Sequence, residues 1–153
     1  MIKTLLIVGI LAITIAIGCV INNYLLVRFN IYTDFKDIIK SIKSEISFLK
    51  TEKTLLLKKQ NYKNKFTKEF ISKYIETGVG DIYYLKPHEN EELNTLLNSI
   101  GKSDIDGEIN NLTYYENFIQ KKCTESEEKY TKYGAFSIKM SIILGTLIAI
   151  ILL

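Results

Sequence analysis

Gly101, Lys102 and Ser103 stand in the stretch SIGKSDIDGE, residues Ser99–Glu108. A glycine, a lysine and a serine in that order close a phosphate-binding loop, where backbone N–H groups cradle phosphates and the lysine neutralises them. That loop also needs a glycine five places ahead of Gly101 and a buried strand leading into it. Position 96 is leucine, and Leu93, Leu96, Leu97 and Ile100 repeat at helical spacing. Nucleotide chemistry is therefore not expected. Gly101 reads as a helix stop, and Asp104 as the N-cap of the next helix, with Ser103 a competing cap. His88 is the single histidine, so no histidine-based metal site can form around it, and a solvated loop position suits it. No nucleophile-elbow pattern surrounds any serine. Cys19 lies in an apolar run and Cys123 among charges, and both read as free thiols. No catalytic, cofactor-binding or metal-ligating residue is predicted, and the chain is not expected to be an enzyme or to take a small-molecule substrate.

The elements that carry these residues follow from where the charges lie. All 17 acidic residues fall between Asp34 and Glu128, and outside Arg28–Lys132 the basic residues are Lys3 and Lys139. The mean hydropathy near zero thus averages two apolar ends and a polar middle. Thr4–Ile21 has no charge, and 18 helical residues span about 27 Å, close to the hydrocarbon core of a bilayer. Gly134–Leu153 carries one charge, Lys139, near its inner end, where a long side chain can snorkel to the interface. The chain divides accordingly into a transmembrane helix at 1–27, a helical bundle at 28–133 and a second transmembrane helix at 134–153. Ala16-Ile17-Gly18-Cys19 resembles a lipidation box, but Ala16 replaces the usual leucine and a basic stretch follows, so a retained span is the preferred reading.

Lysines and one arginine flank the inner ends of both spans. Arg28, Lys36 and Lys40 on one side and Lys132 on the other are predicted to line the membrane rim, which places the middle of the chain in the cytoplasm. A net charge of +3 is too small to argue for nucleic acid. Charge is segregated along the middle. Lys50–Lys73 holds eight lysines against Glu52 and Glu69, whereas Asp81–Glu128 holds 11 acids against four lysines. Glu89, Glu91 and Glu92, at a polar helix start, are the predicted partner-binding residues.

Apolar periodicity predicts an all-α fold. Ile31, Phe35, Ile38, Ile39, Ile42, Ile46 and Leu49 form one stripe of a long helix continuing from the first span. A short helix is expected around Leu55–Leu57, and another over Phe66, Phe70, Ile71 and Tyr74, closed by Gly78. Tyr83-Tyr84-Leu85 could be strand-like. Ile105, Ile109, Leu112, Ile119, Cys123 and Tyr130 mark a second long helix, expected to run antiparallel to the first and into the membrane without a break, with Gly107 and Gly134 as weak points.

Ile100–Asp104, then Gly107-Glu108, a charged helix, and the tail IILGTLIAIILL resemble the stage III sporulation protein AB family. Glu108 stands where that family has glutamine, and Thr146 where a second glycine is usual. The resemblance implies an antiparallel cytoplasmic bundle similar to those of type II secretion platform proteins. It also implies a non-catalytic subunit of the secretion-like channel complex between mother cell and forespore, set in the mother-cell membrane facing the forespore. The implied partners are membrane lipids and other subunits of that complex, with its cytosolic ATPase as a candidate. Two rivals are a two-span sensor with a ligand-binding domain outside the cell, which the flanking charges oppose, and a membrane enzyme, which the missing acid, base and metal groupings oppose.

Overall fold

The structure, a computed structural model, describes residues 2–46, 54, 57–58 and 60–152. It is all-α, with no strand among the described residues. The helices are α1 (Ile2–Ile46), α2 (Lys65–Thr77), α3 (Pro87–Ser99), α4 (Ile105–Lys129) and α5 (Ala135–Leu152), with a π-helical turn at Tyr130–Gly134 between the last two. Two compact units result: residues 28–125, and residues 1–27 together with 126–153.

Within the 28–125 unit, α1 turns amphipathic because apolar residues recur every three or four positions. Ile31, Phe35, Ile38, Ile39 and Ile42 are buried, while Lys40 on the other side is exposed. Each buried side chain of this size contributes about 1.5–3 kcal/mol. α4 runs antiparallel to this part of α1. Thr33 meets Cys123 at 3.6 Å, and Lys43 pairs with Glu116 at 2.8 Å, so rising numbers on one helix face falling numbers on the other. Leu112, Ile119 and Cys123 are buried in that interface as the stripe predicts, but Ile105 is exposed and Ile109 only half-buried. The first turn of α4 extends past the core, so its apolar residue has nothing to pack against.

α2 starts where Asp34 directs it. The buried carboxylate of Asp34 accepts the backbone N–H groups of Lys63 (3.2 Å) and Asn64 (2.9 Å). Asn64 then caps α2 by accepting the Phe66 N–H at 2.8 Å. Phe70 packs edge-on against Phe35 at 5.5 Å between ring centroids. Gly78 closes the helix in the left-handed conformation. The helix expected around Leu55–Leu57 lies largely outside the described residues, although Leu57 itself is fully buried. Tyr83–Leu85 forms a turn and not a strand. Among the described residues no strand is there to pair with it.

The 1–27/126–153 unit is an antiparallel pair of α1 and α5. Thr14, Gly18 and Asn22 face Gly145, Ser141 and Gly134 respectively. A Cβ on Gly18 would fall 2.6 Å from the Ser141 Oγ and 3.0 Å from the Ile138 Cα. Ser137 donates to the Gly18 carbonyl at 3.2 Å. Ser137, Ser141 and Gly145 repeat at four-residue spacing, and small residues so placed let two backbones approach in lipid, where packing and interhelical hydrogen bonds replace the hydrophobic drive. The helical course runs on without a gap from α4 to α5 as expected, through a π-helical turn that ends at the predicted weak point, Gly134. Gly134 is buried against Asn22, and a π-turn shifts the register of the residues that follow it.

Candidate interaction site

Glu89 carries the most constrained charge in the 28–125 unit. Pro87 occupies the first turn of α3, where a missing N–H costs nothing, and the Glu89 carboxylate reaches back to the Lys86 N–H at 2.8 Å. The same carboxylate meets Arg28 in a fork: Nη2 to Oε1 at 2.7 Å and Nη1 to Oε2 at 3.0 Å. Arg28 Nη1 also donates to the Tyr84 carbonyl at 2.9 Å, fixing the Tyr83–Leu85 turn. The Tyr32 ring lies 6.0 Å from the guanidinium. Burial pushes the Glu89 carboxyl up, but the hydrogen bonds from Arg28 and the Lys86 N–H outweigh it and hold the pKa at about 2.

This geometry bears on two of the residues singled out in the sequence. Glu89 is not an exposed partner-binding acid, because it is buried and already committed to Arg28. Arg28, expected at the membrane rim, has its guanidinium engaged by the Glu89 carboxylate and the Tyr84 carbonyl. Of the other rim residues, Lys36 is half-buried, whereas Lys40 and Lys132 are exposed, the latter over the Tyr133 ring at 5.3 Å.

Glu91 is exposed and Glu92 half-exposed, and they line an open groove of about 360 Å³ between α3 and α4. His88 and Thr95 complete the α3 wall, and Tyr114, Tyr115 and Phe118 form the α4 wall. His88 therefore sits on the first turn of a helix, not in a loop. Lys122 closes one end, with its Nζ 3.7 Å from Glu92 and 5.4 Å from the Phe118 ring centre. Carboxylates and aromatic side chains lining one groove make a surface suited to ammonium or guanidinium groups.

Gly101 and Asp104 do come together with Glu108. Gly101 has φ +84°, a conformation that only glycine adopts without strain, and turns the chain out of α3. Its N–H donates to Glu108 Oε1 at 2.9 Å, and Asp104 Oδ1 accepts the Gly107 N–H at 3.1 Å, capping α4. Glu108 is buried, and its Oε2 has no hydrogen-bond partner among the described residues. Lys102 and Ser103 are exposed on the turn, and the segment before it is helix α3 with Leu96 fully buried. That geometry is a helix–helix corner and not a phosphate cradle. Among the described residues no cluster of three or more metal-ligating side chains forms.

One set of residues escaped the sequence reading. Asn90, Asn94 and Asn98 line one face of α3. Asn94 Nδ2 donates to the Gly80 carbonyl (2.9 Å) and its Oδ1 accepts the Gly80 N–H (2.7 Å). Asn90 does the same with Ile82, at 3.1 and 3.0 Å. Asn98 accepts from the Tyr74 hydroxyl at 2.7 Å. The Asn90 and Asn94 amides satisfy the backbone of a segment that pairs with no strand among the described residues. The four-residue spacing of the asparagines was the available clue.

Two helices are long and apolar enough to cross a membrane, and their apolar windows are only 6% and 17% buried, unlike the core helix of a soluble domain. The chain is thus an all-α membrane protein in which a helical unit accompanies the apolar helix pair. The family model of stage III sporulation protein AB matches residues 61–153, and the chain belongs to that family. No curated protein and no solved structure matches it.

Proposed function

We propose that this protein is a non-catalytic structural subunit of the secretion-like channel complex that joins mother cell and forespore during endospore formation. Family membership carries the process, since the match covers α2 to the last helix. The layout supports the role. Two apolar helices packed through small residues supply an anchor in the mother-cell membrane, and the lysines at the inner ends of both helices favour a cytoplasmic position for the 28–125 unit. That unit offers other subunits, the cytosolic ATPase among the candidates, a surface fixed by buried polar locks at Asp34, Glu89 and Glu108. Lys40 and Lys132 supply attraction to anionic headgroups, about 1 kcal/mol each near the surface.

Deletion of the gene in its own host tests the role. The expected result is arrest of forespore development after engulfment, restored by the wild-type gene. Spore formation at wild-type frequency in the deletion strain would remove the proposal. A reporter fused at the exposed Thr77 tests the topology separately, and activity only on the outer side of the membrane would favour a sensor.

A further inference from the structure

We propose that this protein associates with further copies of itself, the lysine-bearing face of α2 on one copy docking into the acidic, aromatic groove between α3 and α4 of the next. The inference is independent of the proposed role in sporulation.

The groove is built for a cation. Glu91 makes no ion pair among the described residues, and Glu92 has one long contact to Lys122. Tyr114 beside them is 66% exposed, a large aromatic face with little to cover it. Lys122 already demonstrates the chemistry at one end, where its ammonium lies between a carboxylate and an aromatic ring. Among the described residues that line the groove there is no lysine or arginine.

The occupant is indicated by this chain's own charge distribution. Its lysines concentrate in Lys50–Lys73, eight against two acids, and α2 displays Lys65, Lys68 and Lys73, all exposed. Lys65 and Lys68 are neighbours on the helix surface, spaced to reach adjacent carboxylates. The levels also agree. Glu89 pairs with Arg28 and Glu116 with Lys43, so the groove lies alongside the Arg28–Lys43 part of α1. Asp34 holds the start of α2 and Phe35 packs on Phe70, which places the α2 lysines within the same stretch. Both patches thus lie on the 28–125 unit at one level of its α1 segment, so two such units can meet side by side. The two patches belong to different elements, which makes the contact head-to-tail and able to repeat into a ring or a row. Exposed ion pairs alone contribute little, and the aromatic faces supply the desolvated part of the contact.

The test uses the full chain in nanodiscs or mild detergent, with mass measured by analytical ultracentrifugation at low and high salt. Wild type is expected to associate at low salt and to dissociate as salt screens the pairs. Glu91→Lys with Glu92→Lys should weaken association at least about tenfold, and so should Lys65→Glu with Lys68→Glu. A chain carrying all four changes should associate again, because the two patches have exchanged sign. A mixture of the two double variants should associate again in alternation, since each variant's groove then meets a patch of opposite sign on the other. Circular dichroism excludes misfolding, and Glu91→Gln with Glu92→Gln repeats the loss without adding charge. A monomeric wild type, or a four-change chain that stays monomeric while folded, overturns the proposal.

Discussion

Removing the guanidinium of Arg28 should destabilise the 28–125 unit more than any change to an exposed charge on α3. In Arg28→Met the aliphatic stem remains, but the Glu89 carboxylate, whose side chain is 7% exposed, loses its charged partner and keeps neutral donors such as the Lys86 N–H. Breaking a buried pair by removing one partner costs about 3–5 kcal/mol, because the remaining charge is stranded. Glu89→Gln keeps an acceptor for Arg28 and should cost about 1.5–3 kcal/mol, the value of hydrogen bonds to a charged group. Combining Arg28→Met with Glu89→Leu should cost less than the sum of the single changes, with a coupling of about 2–4 kcal/mol. The pair also sets a pH dependence. The Glu89 carboxyl is held at about 2 against an ordinary 4.5, so folding favours its charged form. That contribution is fully present above pH 4.5 and is lost as pH falls from 4.5 towards 2. The difference corresponds to at most about 3 kcal/mol, and solvent at the edge of the pair reduces it to about 2. Chemical denaturation of the full chain in nonionic detergent, followed by helical circular dichroism across this pH range, measures both effects. Glu91→Gln is the control, since Glu91 is exposed on the same helix. If Glu89→Gln is no more destabilising than Glu91→Gln, or if the Glu89→Gln variant keeps the acid-induced loss undiminished, the lock does not hold the fold as argued.

Gly101→Val should lower the melting temperature more than Lys102→Val, because a β-branched residue is strained at φ +84°; equal melting temperatures would count against the corner. Glu108→Ala leaves the Gly101 N–H unpaired and should cost about 1–3 kcal/mol, with Glu108→Gln costing less; denaturant midpoints of the two variants decide it. Asn94→Ala strands both the N–H and the carbonyl of Gly80, and hydrogen exchange at Gly80 and Ile82 should rise while exchange in the core of α1 stays slow. Gly18→Leu drives a side chain into Ser141 and the α5 backbone, so cysteine cross-linking engineered between α1 and α5 should fall; unchanged yield would refute the close packing.

Much of this architecture could be read from residue order because it depends on local periodicity. A charge-free run long enough to cross a bilayer is a property of composition, and so are the apolar stripe from Ile31 to Ile42 and the stop at Gly101. The family resemblance was equally legible, since Ile100–Glu108 and the apolar tail lie in the matched region. Pairing over long separations was not legible. Arg28 and Glu89 are 61 residues apart, and nothing in either neighbourhood announces a partner. Read singly, the arginine beside a span suggested lipid and the glutamate at a polar helix start suggested an exposed face. The packing of the start of α3 beside α1 and the turn at Tyr83–Leu85 bring the two within 2.7 Å, and burial then makes the pair obligatory. The same holds for Asn90 and Asn94, whose amides became backbone substitutes only because the chain between α2 and α3 folds back along them. The sequence by itself determined which segments are helical, which are apolar all round and where the chain must turn. Tertiary structure alone decided which charges are internal, because the cost of burying a charge depends on the partner that the fold delivers to it.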